Sequence, residues 1–114
     1  MNNLKQFYGT EQHHKGFFGV TLTDGCYFIA ENGASWLISD ISVILKINAK
    51  VKNEEFISIK VKIQDKKAVV VYTDGNNNKL YNQKYEYTDF NDYFEEKEVN
   101  FYYTDNVLML SGEY

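Results

Sequence analysis

Few residues in this 114-residue chain have the type and spacing to do chemistry. His13 and His14 precede Asp24 and Cys26, a donor set that could hold a metal or pair a thiol with a base. Adjacent histidines point in different directions, and one cysteine cannot complete a thiolate cluster. A lone cysteine in an apolar segment is ordinarily core packing rather than an activated nucleophile. Gly16, Gly19, Gly25 and Gly33 do not make a phosphate loop. No G-x-x-x-x-G-K-[ST] occurs, and no G-x-G-x-x-G follows a strand. The sequence therefore predicts no catalytic residue, no metal site and no cofactor.

Two charged groups are the candidates for binding. The densest acids are Asp89, Asp92, Glu95, Glu96 and Glu98. Paired carboxylates can do acid–base work or hold a divalent cation, but a calcium loop needs ligands at alternate positions around a central glycine, which this run lacks. One reading is a solvated acidic loop. The other is an acidic surface that occupies a nuclease's basic channel. There Asp89, Asp92, Tyr93, Glu95 and Glu96 would touch the partner, since aromatics enrich interface cores. The second group is Lys60, Lys62 and Lys84, which with exposed tyrosines would form an RNA or single-strand platform. Against it stand the use of lysines to block aggregation of an exposed sheet and the complete lack of arginine, the residue that forks onto phosphates and guanine edges.

The element that must position these groups is the segment Ala34–Ile47, ASWLISDISVILKI, which holds the only tryptophan. On a helical wheel Leu37, Ile38, Ile41, Ile44 and Leu45 form one broad apolar arc, extended by Trp36, Val43 and Ile47. Ser39, Ser42 and Lys46 leave only a narrow polar strip, so the helix is expected to be covered on more than one side. Asp40 falls inside the arc. A carboxylate there needs a partner, for example a tyrosine hydroxyl or backbone groups near Asp24. Trp36 and Asp40 are thus assigned structural roles.

Around that helix the chain reads in order as follows. Residues 2–8 suggest a short helix, EQHHKG a loop, and residues 17–22 a short strand. Thr23-Asp24 is a plausible N-cap for a short helix that Gly33 stops. After a basic linker the hydrophobic period changes from helical to two, in FISIKVKI. AVVVYT follows as a second strand, DGNNN as a hairpin turn and residues 79–88 as a third strand. An acidic connection leads to a fourth strand at 98–104 and a short fifth at VLMLS. Helices first and hairpin-linked strands second predict an α+β fold. The expected architecture is a single domain over 1–114, mainly helical over 1–48, with a four- or five-stranded antiparallel meander over 54–112 packed on the central buried helix.

Composition limits the function classes. Apolar residues make up 44% of the chain and aromatics 17%, enough for one compact core. No stretch of about 18 apolar residues occurs, so no transmembrane helix and no membrane partner is expected. The N-terminus lacks the apolar core of a signal peptide, and a single cysteine precludes an internal disulfide. Both fit a cytoplasmic protein. The net charge of −4 divides unevenly. Residues 1–85 carry eleven lysines against eight acids, whereas residues 86–114 carry Lys97 against eight acids. Such a layout can steer a partner.

Several short motifs resemble a known family. They are Phe7-Tyr8-Gly9-Thr10-Glu11-Gln12, Thr23-Asp24-Gly25, Tyr27 with Ala30-Glu31, Gly33-Ala34, Trp36-Leu37, Asp40-Ile41, Glu86-Tyr87-Thr88-Asp89-Phe90, Val107-Leu108-Met109-Leu110 and Glu113-Tyr114. Together they resemble an uncharacterised bacterial domain family found on plasmids and prophages. The chain departs from it at Ser111-Gly112, where the family tends to have Pro-Ser. The resemblance implies a small accessory protein of a mobile element, and some such proteins inhibit host defence nucleases. The leading expectation is therefore a non-enzymatic anti-CRISPR-type protein, a monomer or small homo-oligomer, that binds a host defence nuclease complex. The alternative is an RNA or single-stranded nucleic-acid binder acting through the lysine face. An enzyme built on Asp40 or the acidic loop ranks last.

Overall fold

The computed structural model describes residues 2–114. Its N-terminal third contributes strands as well as helices. After a 3-10 turn at Leu4–Gln6, β1 (His14–Lys15) and β2 (Thr21–Leu22) pair antiparallel across a second 3-10 turn at Phe17–Gly19. The expected helix over 2–8 is thus one short turn, the expected strand over 17–22 keeps only its last two residues, and the EQHHKG loop contains a strand.

α1 (Asp24–Ile29) continues through a widened π-type turn at Ala30–Ala34 into α2 (Ser35–Ile47). Gly33, at φ 121°, makes the bend. A side chain there would be strained, and its Cβ would lie 2.5 Å from the Tyr93 ring. The whole run Asp24–Ile47 is long and apolar enough to span a membrane by length and composition. The kink and the burial of Leu37, Ile38, Ile41 and Leu45 against the sheet mark it as a core helix instead. Ser42, expected on the polar strip, is also fully buried. Its hydroxyl donates to the Ile38 carbonyl four residues back, so burial leaves no unmet donor.

The period of two over 56–63 becomes β3 (Phe56–Gln64), with Ile57, Ile59, Val61 and Ile63 buried and Lys60 and Lys62 exposed. A two-residue turn, Asp65-Lys66, both at positive φ, joins it to β4 (Lys67–Asp74). β5 (Lys79–Tyr85) follows antiparallel, ending three residues earlier than expected. The acidic connection folds into a single helical turn, α3 (Phe90–Tyr93). β6 (Glu98–Thr104) and β7 (Val107–Leu110) close the chain as a hairpin, followed by a 3-10 turn at Ser111–Glu113.

Among the described residues the sheet has seven strands, in the order β1-β2-β7-β6-β3-β4-β5. It corrects the expected four- or five-stranded antiparallel meander in two ways. β6 pairs with β3 rather than with β5, because the 86–97 connection carries the chain back across the sheet. β2 pairs with β7 in parallel, which makes the sheet mixed. The α+β class holds. One face of the sheet carries the core with α1 and α2, including Val61, Val70, Tyr72 and Phe101. Among the described residues no helix covers the other face over β3, β4 and β5, where Lys60, Lys62 and Val69 are exposed.

Candidate functional site

The strand register brings the predicted lysines together. Lys62 stands opposite Val69 on β4, and Val69 opposite Lys84 on β5. One row along, Lys60 stands opposite Val71, and Val71 opposite Asn82. All of these lie on the open face, because the intervening residues face the core. Lys60, Lys62 and Lys79 rim a groove of about 320 Å³ with Val69 and Val71 on its floor. None of Lys60, Lys62, Lys79 and Lys84 makes an ion pair among the described residues. Glu98 stands opposite Lys62 in register. An aromatic group stands on the same face two rows away. Tyr102 packs 5.1 Å from Phe56, and Tyr114 meets the two edge-on at 5.3 and 5.9 Å. Sequence reasoning did not name these three. Its signal was there, since Tyr102 alternates with the inward Phe101 and Tyr103.

The acidic group is used differently from a free surface. Glu96 Oε2 accepts from the Leu4 N–H at 2.8 Å, and Glu95 accepts from the Asn3 side chain. Asn2 bridges the Tyr93 carbonyl and the Glu95 N–H through its own backbone. Asn91 ties the loop by donating to the Phe94 and Glu96 carbonyls. Glu95 and Glu96 thus pin the N-terminal segment, and Tyr93 covers Gly33. Asp92 points outward and sits 3.8 Å from Lys66, both well exposed. Asp89 is half-buried at the start of α3.

The start of α1 gathers a third set of polar groups. Thr23 occupies the cap position, as the sequence suggests, but its side chain does not cap. The acceptor is Glu113, from the other end of the chain. Its buried carboxylate takes hydrogen bonds from the Thr23 hydroxyl at 2.7 Å, the Gly25 N–H at 2.9 Å and the Leu110 N–H at 3.0 Å. No local spacing could announce that pairing, and the sequence reading missed it. Gly25 has no room for a side chain, since a Cβ would lie 2.5 Å from Leu110 and 2.6 Å from Glu113.

Beside this clamp, His14 Nε2 lies 2.9 Å from Asp24 Oδ1, and its ring stacks on Tyr27 at 4.0 Å. The Glu11 N–H donates to Asp24 Oδ2 and, with His14, holds the Asp24 carboxyl below the usual carboxylate range. A histidine–carboxylate pair can orient a base, yet the neighbouring Thr10 hydroxyl is engaged with the Gln12 carbonyl and the Asp24 N–H. Cys26 is fully buried, and desolvation pushes its thiol up, away from the thiolate a nucleophile needs. No group of three or more His, Cys, Asp or Glu residues could hold a metal ion among the described residues.

Asp40 is half-buried rather than buried. Its Oδ2 accepts from the Tyr85 hydroxyl at 2.9 Å, and Trp36 packs edge-on to the same tyrosine at 5.3 Å. Burial and the adjacent carboxylate both push the Tyr85 phenol up.

These features define a class: an α+β domain in which one kinked helix backs a mixed sheet whose opposite face is open and carries lysine. The chain belongs to a family of unknown function, DUF6876, which it matches over residues 1–114. It is similar to a protein of unknown function from Enterococcus faecalis with a crystal structure, at 13% identity and a TM-score of 0.47, covering 84% of this chain and 85% of that one. No curated protein matches.

Proposed function

We propose that this protein is a non-enzymatic binding module that takes RNA or another single-stranded nucleic acid on its open sheet face. The observation that carries the reading is the row structure of Lys60, Lys62 and Lys84 around an apolar floor, without ion pairs among the described residues. Guarding an edge does not account for Lys60 and Lys62, because β3 is paired on both sides. A phosphate backbone matches such a row, and Tyr102, Phe56 and Tyr114 offer rings for bases at one end of it. Lysine acts as a point charge, so affinity without sequence preference is expected.

Fluorescence anisotropy with labelled oligo-U and oligo-A RNA and the matching DNA tests it. Binding at low salt should weaken in Lys60→Ala/Lys62→Ala. The slope of log K against log salt should flatten by about 1.4, at about 0.7 for each phosphate that a lysine no longer neutralises. No binding at low salt, or unchanged binding by the double variant, would overturn the reading.

A second reading is inhibition of a host RNA-guided nuclease. It is supported by the resemblance to mobile-element proteins and by the eight acids among residues 86–114, of which Glu86, Asp92, Glu95, Glu98 and Asp105 are exposed. Pull-down from host lysate with a nuclease assay separates the two. Inhibition that survives Lys60→Ala/Lys62→Ala and fails in Asp92→Ala/Glu98→Ala assigns the acidic side.

A further inference from the structure

β5 is the terminal strand of the sheet, and among the described residues no strand pairs with its outer edge. The backbone groups along that edge can be assigned from the ladder. The Asp65-Lys66 turn makes Gln64 and Lys67 a hydrogen-bonded pair, and bonded and non-bonded pairs alternate from there. Ala68, Val70 and Tyr72 therefore turn their N–H and C=O toward β5, where they meet Tyr85, Gln83 and Tyr81. By the same alternation Asn82 and Lys84 turn theirs outward. Beyond this edge lies an open trough of about 480 Å³, whose far wall is α2 through Asp40, Val43 and Ile44. This wall is the half of the helix's apolar arc that the sheet leaves open, and Ile47, one turn further on, is 67% exposed.

We propose that this trough is a strand-addition site for an extended peptide segment of another protein, carrying a basic residue and an aliphatic residue two positions apart. The outward N–H and C=O groups of Asn82 and Lys84 ask for a strand rather than a helix or a small molecule. The side chains that point inward choose its chemistry. Asp40 lines the trough; its Oδ2 is taken by Tyr85, while Oδ1 has no hydrogen-bond partner among the described residues, so the carboxylate selects a cation. Val43 and Ile44, one helical turn along, select an aliphatic group. Four helical residues advance about 6 Å, close to the nearly 7 Å between alternate side chains of a strand. Because Tyr85 lies by Asp40, the basic residue seats at the Tyr85 end and the aliphatic one toward Tyr81.

The test uses the full chain and two capped peptides, Thr-Thr-Lys-Thr-Val-Thr-Thr and its reverse order, Thr-Thr-Val-Thr-Lys-Thr-Thr, followed by amide chemical shifts and hydrogen exchange. One of the two orders should shift and protect the Asn82 and Lys84 amides. Replacing its lysine by glutamate, or Asp40→Asn in the protein, should weaken binding roughly three- to tenfold. Asn82→Pro removes an outward N–H while sparing the bonds to β4, and should abolish binding in a folded protein. If that variant fails to fold, backbone N-methylation of the peptide at alternate residues tests the same ladder. No shift at Asn82 and Lys84 with either order, or binding indifferent to N-methylation, would overturn the proposal. So would concentration-dependent self-association that protects the same amides without peptide, which would assign the edge to a second copy.

Discussion

Asp24 shows how much a single side chain does at the start of α1. Its carboxylate is held down first by the Glu11 N–H and then by His14. A carboxyl whose pKa is lower folded than unfolded adds stability above the unfolded value near 3.9 and loses it as pH falls through the folded one. Thermal melts of the protein and of Asp24→Asn should therefore differ most above about pH 4 and converge below it. Tyr85 is a second case. Tyr85→Phe removes the donor to Asp40 and should cost about 1.5 kcal/mol, the low end for a charged acceptor, because Asp40 keeps a side open to water. Trp36, packed on the same ring and the sole tryptophan, should report the change by a shift in fluorescence. The misfit of Asp40 in its apolar arc was legible from helical spacing alone. That the arc is only half covered was not, since the wheel records which residues share a side and not what lies against them.

At the level of elements, local pattern reached the long pieces and stopped at the long-range pairings. α2, β3, β4 and β6 follow from periodicity within one or two residues at their ends, because each buries an uninterrupted face. β1 and β2 have two residues each and no period to find; they exist because β7 offers an edge for β2 to join. The return of the 86–97 connection to β3 is equally silent in sequence, since hairpin signals describe neighbours only. Gly33 links two elements that the sequence treats separately, as it lets the helix bend and gives the Tyr93 ring of α3 its seat. Gly33→Ala should cost about 1–3 kcal/mol from backbone strain, with more from displacement of Tyr93, and urea unfolding measures the sum.

Across the whole molecule, charge is distributed differently from the way it runs along the chain. Residues 1–85 carry a net positive charge and residues 86–114 a net negative one, yet Glu98 stands opposite Lys62 and Asp92 lies near Lys66. The acidic run is interleaved with the basic one instead of forming a separate pole, and Glu95 and Glu96 are occupied with the N-terminal segment. That is why the lysine face, which strand alternation marked out, survives folding as a continuous surface, and the acidic patch does so only in part. The Glu113 clamp also bears on synthesis. The amides at the start of α1 wait for a carboxylate 88 residues downstream of Gly25. During translation the N-terminal helix stays open until that residue has cleared the ribosome, so docking of α1 is a late event. Force profiles on arrested nascent chains should show little pulling at lengths that keep Glu113 inside the exit tunnel and a sharp rise once it emerges, with the rise lost in Glu113→Ala.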